Sequence, residues 1–366
     1  MKRLLVGRLA VLGVMVSLMS CGQSTQADDS EASTPGSLGL DDGRVEGPVG
    51  FILPDARSSD RWETLDRPAI EGACEDRGIE CFLENAEGDP DKMKAIADQM
   101  IDDGVLVLAL VNLDPESAAE IQQNAAAAGV KNIDYDRLTV EGYADVYVSF
   151  DSVAVGIAQG EGLIECFEGE TEGKRIVRLD GSATDSNAAL VKQGQERSIE
   201  GAGFDIVSEA AVPNWDPVEA ELLFSQLFDD ASGEIDGVLA ANDGLSLGAQ
   251  RVLADSNKKL PITGQDATLE SLRSILDGSQ CMTVYKPVSE EARGAVEAAD
   301  LLMNGEEVTA GATVNTGNAE VPYIQAEIRP IFRNDLATLV EEGFVPLDDL
   351  CSGLADECSE LSLIHI

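Results

Sequence analysis

From Gly47 onward, short apolar runs alternate with stretches whose apolar residues recur at helical spacing. "VGFIL" at Val49 to Leu53 and "VLVLALV" at Val105 to Val111 are continuous runs, as expected of strands covered on both faces in a parallel sheet. Between them, Met93, Ile96, Ala97, Met100 and Ile101 fall on one helical face, and Gly104 stops that helix. The next helix opens with Asp114 as cap and Pro115 at its first position, and closes at Gly129. A strand then ends in "DYDR", and the alternation resumes through "RIVRLDG", "DIVSEAAV", "GVLAAND" and "PITGQD". A short helix and the strand-like "TVYKP" follow. This order predicts an α/β fold, a mostly parallel sheet with helices on both faces, with length enough for two such sheets.

The chain has 366 residues, and its 44% apolar content is ordinary for a globular protein. Its charge is not ordinary: 25 Lys and Arg against 68 Asp and Glu give −43. A field of that sign repels phosphate, so nucleic acid is excluded as a partner; the acidity itself reads as solubility or adaptation to salt.

The first residues change the picture. "MKRLLVGRLAVLGVMVSLMSCG" has a basic start and a short apolar core, Leu9 to Met19, the architecture of an export signal over 1–20. "LMSC" has the form of a lipobox, with Cys21 as the lipidated residue and the membrane reached through that anchor. The Ser-, Asp- and Gly-rich stretch that follows, within 21–47, reads as a flexible tether. Six cysteines remain in the exported chain, and an even count in an oxidising compartment points to disulfides. Cys74 lies near Cys81 and Cys351 near Cys358, so local pairing is expected, leaving Cys166 and Cys281; the connectivity is open from sequence. Zinc is discounted because there is no CxxC and His365 is the one histidine. No cofactor or metal is expected. The final "LSLIHI" resembles translated sequencing adapter rather than the acidic tail before it.

Polar clusters stand where strands feed their loops: "SSDRW" (58–62), "DYDR" (134–137), "GSATDSNA" (181–188), "NWD" (214–216), "NDG" (242–244), "GQDA" (264–267) and "TVYKP" (283–287). Strand ends are where α/β folds hold ligands. Both tryptophans of the chain, Trp62 and Trp215, belong to this set. In-plane Asp, Asn and Arg match the hydroxyl rim of a sugar, and aromatic platforms match its C–H faces. Taken singly, each of these residues is more simply a turn former or helix cap.

From about Val49 to Leu350 the chain resembles bacterial periplasmic sugar-binding proteins of the D-xylose-binding group and the related multiple-sugar-binding chemotaxis proteins. The resemblance rests on "YDR", "SFD", "GSATDSNA", "NDG", "GQDA" and "TVYKP". It implies the type I periplasmic-binding fold: two doubly wound parallel-sheet lobes joined by three crossovers, closing on a sugar. The lobes would be 48–149 with 287–322, and 150–286 with 323–352, followed by a tail over 353–366. The same resemblance places Arg61, Asp136 and Arg137 on the first lobe's side of the cleft. It places Asp185, Asn187, Asn242 and Asp266 on the second lobe, and Lys286 near the hinge. Trp62 and Trp215 would sandwich the ring. Arg57 competes with Arg61 for the pocket, and Arg61 is preferred because it adjoins Trp62. Ser152 stands where the family often has Asn, and "NDGLSLG" is closer to the multiple-sugar binders, so specificity stays open.

The implied function is a monomeric, lipid-anchored receptor that delivers an aldose such as D-xylose to an ABC permease. A chemoreceptor ligand carrier is the alternative that gene neighbours would separate. A glycoside hydrolase using Asp136 and Asp185 as acid and base is a further one, separated by whether the sugar is returned unchanged. A transcriptional regulator of this fold is disfavoured by the export signal and the charge.

Overall fold

The computed structural model describes residues 45–360. Cys21, most of the tether and the terminal "LSLIHI" lie outside them. The first lobe begins with β1 (Val49–Leu53), α1 (Arg67–Arg77), β2 (Cys81–Asn85), α2 (Pro90–Asp102), β3 (Val107–Leu110), α3 (Pro115–Ala127), β4 (Lys131–Tyr135) and β5 (Val146–Phe150). The second contains α4 (Ser152–Cys166), β6 (Arg175–Asp180), α5 (Ser186–Ile199), β7 (Asp205–Ala211), α6 (Pro217–Asp230), β8 (Gly237–Ala240), α7 (Asp243–Asp255), α8 (Leu269–Asp277) and β9 (Met282–Tyr285). The chain then returns to the first lobe through α9 (Val288–Met303), β10 (Ala312–Asn315) and β11 (Glu320–Ala326). It crosses back at β12 (Arg329–Phe332) and ends in α10 (Leu336–Glu341), α11 (Leu347–Cys351) and α12 (Ala355–Glu360).

The helix signals act as the sequence implies. Asp114 accepts from the Ser117 N–H at 2.8 Å, Pro115 opens α3, and Met93, Ala97 and Met100 form the buried face of α2. The first sheet runs β10-β11-β5-β4-β3-β1-β2, parallel except for the β10–β11 hairpin. Its central strands, β1, β3, β4 and β5, are buried on both faces, so successive residues serve different layers. Phe51 and Leu53 join the core that also holds Ile70 and Ala295, while Ile52 packs with Met93 and Ile121 on the other side. The second sheet has the parallel order β7-β6-β8, with β9 and β12 forming an antiparallel pair. "PITGQD" lies between β8 and β9. It forms isolated bridges at Val238–Ile262 and Gln265–Val284 rather than a regular strand, because it turns sharply at Asp266.

Two expected boundaries move. β11 pairs with β5 from Tyr323 to Ala326, so the third crossover follows Ala326 and the boundary at 322 would have cut a strand. Of the expected tail over 353–366, residues 353–360 pack as part of the second lobe: α12 lies on it, Cys358 is buried there, and Arg333 pairs with Glu360.

The described residues contain three disulfides. Cys74–Cys81 ties the end of α1 to β2, Cys351–Cys358 joins α11 to α12, and Cys166–Cys281 fastens the end of α4 beside β9. The last closes a separation of 115 residues, against 7 for each of the others. Loop-closure entropy then gives about 4.8 kcal/mol for the long link and about 2.4 kcal/mol for a short one. Replacing Cys166 and Cys281 by serine should lower stability by roughly 2 kcal/mol more than replacing Cys74 and Cys81. Denaturant titration checks the difference, and equal losses would remove loop entropy as its cause.

Candidate functional site

A cavity lies between the lobes, and all ten residues singled out in the sequence line it. They arrive from strand ends, where the sheets stop and the loops begin. Asp136 and Arg137 follow β4; Asp185 precedes α5; Asn242 follows β8; Lys286 follows β9. Arg61 and Trp62 stand at a π-helical turn, Trp62–Asp66, that leads into α1. The sequence reading missed Ser58, Ser59, Ser149, Phe150 and Gln265, which also line the cavity. All five sit inside motifs already quoted, so the motif as a unit carried the signal.

Arg61 is the centre of the site, 1% exposed. Its Nε and Nη2 donate to the two oxygens of Asp66, both at 2.8 Å, and Nη2 also donates to Glu291 at 3.0 Å. Nη1 donates to Asp136 at 3.0 Å and lies 3.7 Å from Asp266 across the cleft. Tyr135 donates its hydroxyl to Asp66 at 2.8 Å. Lys286 Nζ lies 2.9 Å from Asp266 and 3.8 Å from Asp136. Arg137 Nε lies 2.9 Å from Asp185 Oδ2, which also accepts from Trp215 Nε1 at 3.0 Å.

Burial raises the cost of every one of these charges, and the neighbours decide the outcome. Burial alone would push Asp136 up, but Arg61, Lys286 and Arg137 overcome it and hold this carboxyl below its usual range. Asp185 has Arg137 nearby, yet burial and the Asp136 charge leave it raised. Glu291 is pushed well above its usual range by burial and then by Asp136. The hub of Arg61 and Lys286 against Asp66, Asp136, Asp266 and Glu291 holds more carboxyls than cations, and burial raises both Asp66 and Glu291 within it.

Three lining residues hold backbone conformations that L side chains rarely adopt: Asp136 (φ 62), Trp215 (φ 54) and Asp266 (φ 100). The Asp136 carbonyl is fixed by Tyr147, Ser149 and Asn187, which donate at 2.9, 2.6 and 2.8 Å. Trp215 packs on Gly181, where a Cβ would stand 2.0 Å from the indole. Asp266 Oδ1 and Arg137 Nε are buried at the cavity without an aligned hydrogen-bond partner in the protein, although each faces an opposite charge.

The capping alternative divides the set. Asp185 and Asn242 do cap α5 and α7, accepting from the N–H of Asn187 and Leu245, and they line the cavity as well. Asp266 is not a cap: Thr268 holds that place on α8. Trp62 and Trp215 line the cavity from opposite lobes, and Trp62 carries the Arg61 guanidinium 4.3 Å from its ring centroid. Arg57 stays at the rim with 76% of its side chain exposed, paired with Asp216.

The two arginines should therefore behave differently. Arg61→Met leaves Asp66, Asp136 and Glu291 buried without their shared cation, and should cost about 3–5 kcal/mol of stability. Arg57→Met removes an exposed guanidinium from Asp216, which stays bonded to the start of α6, and should cost about 1 kcal/mol. Thermal and denaturant unfolding compare them, and equal losses would contradict this placement of Arg61.

Comparison with known proteins identifies the family. Residues 49–307 match the periplasmic binding protein domain family. The chain is 30% identical over 303 residues to the D-xylose-binding periplasmic protein of Escherichia coli, covering 81% of this chain and 90% of that protein. It is 30% identical over 332 residues to the multiple sugar-binding periplasmic receptor ChvE of Rhizobium radiobacter, covering 83% and 92%. A carbohydrate transporter solute-binding protein of Chloroflexus aurantiacus, solved with D-glucose, superposes with a TM-score of 0.77 at 29% identity, covering 82% and 97%. An ABC transporter solute-binding protein of Clostridium phytofermentans, solved with β-D-glucose, gives 0.78 at 26%, covering 83% and 100%. The chain belongs to the periplasmic binding protein domain family, with the type I fold of two parallel-sheet lobes around one cleft.

Proposed function

We propose that this protein is the sugar-binding component of an ABC importer. It would be anchored by lipid on Cys21, take a neutral aldose such as D-xylose or D-glucose between its lobes, and deliver it to a permease. The observation that carries this reading is the pairing of opposite charges along the cavity lining. Arg61, Arg137 and Lys286 are matched against Asp136, Asp185 and Asp266, and all six are buried. Such a lining offers strong donors and acceptors to hydroxyl groups, and the extra carboxyls of Asp66 and Glu291 behind Arg61 disfavour an anion. The names of the relatives, a xylose binder and a multiple-sugar binder, and the glucose held by the solved neighbours support the same class of ligand.

A hydrolytic role has less support. Asp136 is held ionised by three cations, and Asp185 is committed to Arg137, Trp215 and the start of α5. Neither is placed to hand a proton to a glycosidic oxygen.

Calorimetric titration with xylose, glucose and ribose, beside glucuronate and glucose 6-phosphate, tests the proposal. A neutral aldose should bind and be recovered unchanged, and the charged analogues should bind far more weakly. Asp266→Ala should weaken the preferred sugar by about ten- to a hundredfold, or roughly 1.5–3 kcal/mol. Binding confined to the charged analogues, or conversion of the sugar, would overturn the reading. Cys21→Ala should release the protein from membranes, and full retention there would remove the anchor.

A further inference from the structure

Asp243 follows the cleft residue Asn242 but does not line the cavity, and it is fully buried. Its Oδ1 accepts from Thr283 Oγ1 at 2.8 Å and from Gln280 Nε2 at 3.1 Å, while Oδ2 accepts from the Thr268 N–H at 2.9 Å. Its own N–H donates to the Gln265 carbonyl at 3.1 Å. Thr283 Oγ1 also accepts from the Ala267 N–H at 3.3 Å. Every one of these bonds closes on the segment 265–268 or on residues 280–283, where β9 begins. That segment contains two successive non-glycine residues with positive φ, Asp266 at 100° and Ala267 at 54°. Such backbone persists where its surroundings over-determine it.

Gly264 is part of the same device. A Cβ there would stand 2.0 Å from Asp243 Oδ1, so the glycine of "GQDA" leaves room for this carboxylate. Burial and the Asp266 charge push the Asp243 carboxyl up to about 7. The fold thus keeps a costly acid here, surrounded by groups that donate to it.

We propose that Asp243 is a positioning residue of the cleft: with Thr283 and Gln280 it pins the left-handed turn at Asp266 and Ala267, and so fixes where the Asp266 carboxylate meets the ligand. The effect on affinity rests on the sugar-binding reading above. An amide at 243 would turn an NH₂ toward a donor and release one side of the turn. Thr283→Val keeps the shape but removes both the donor to Asp243 and the acceptor for Ala267.

The test uses Asp243→Asn and Thr283→Val, each alone and combined with Asp266→Ala, titrated with D-xylose and D-glucose, together with crystal structures of the single variants grown without sugar. Each single variant should weaken the sugar that wild type prefers by at least about tenfold, and should add nothing once Asp266 is alanine. In the crystals, Asp266 should leave its positive φ and its contact with Lys286. Affinity within about twofold of wild type, losses that add to that of Asp266→Ala, or an unchanged turn in the crystals would each overturn the proposal. Should wild type take up neither sugar, the ligand reading fails, and the crystal structures alone decide the role of Asp243.

Discussion

The buried guanidinium of Arg61 is the contact on which the rest of the cleft depends. An isolated charge at that depth costs several kcal/mol, and it is tolerated because four carboxylates surround it. Those carboxylates come from separate parts of the chain: Asp66 from the π-helical turn, Asp136 from the end of β4, Glu291 from α9 just past the second crossover, and Asp266 from the other lobe. Satisfying one side chain therefore brings the first loop, the sheet end, the hinge helix and the second lobe into register. The planar fork of arginine can donate to several acceptors in fixed directions, which a lysine at this place could not.

Rigidity of that hub explains how strained backbone survives beside it. Asp136, Trp215 and Asp266 each hold a positive φ, at a cost of about 1–3 kcal/mol apiece. Each is held by neighbours whose own geometry is fixed: three donors on one carbonyl, an indole seated on glycine, a turn locked to the next strand. Side chains held in this way lose little further freedom when a ligand binds. The paired charges give direction to hydroxyl groups, and the excess of carboxyls discourages anions.

Much of this was legible in the sequence because it follows from local rules. Continuous apolar runs mark the doubly covered strands, Asp114 and Pro115 mark a helix start, and the polar clusters after strands mark the cleft. The choice of Arg61 over Arg57 came from adjacency to Trp62, and burial explains it: one arginine lies under the lobes while the other lies at the rim. Asp66, Glu291 and Asp243 were not singled out. In a chain with 68 acidic residues, a carboxylate beneath a site looks like any carboxylate on a solvated helix, and only three-dimensional packing separates them. The boundary at Ala326 was hidden for a related reason. β11 carries polar residues among its apolar ones, and its pairing with β5 rather than its composition decides which lobe it joins.

A crystal structure of the protein grown with a saturating neutral aldose tests the central claim most directly. The account predicts one sugar between the lobes, its hydroxyls within hydrogen-bond distance of Asp266, Lys286, Asp136 and Arg137, with Arg61 still bound to Asp66. A sugar seated elsewhere, or a cleft in which Arg61 has left Asp66 to admit it, would contradict the account.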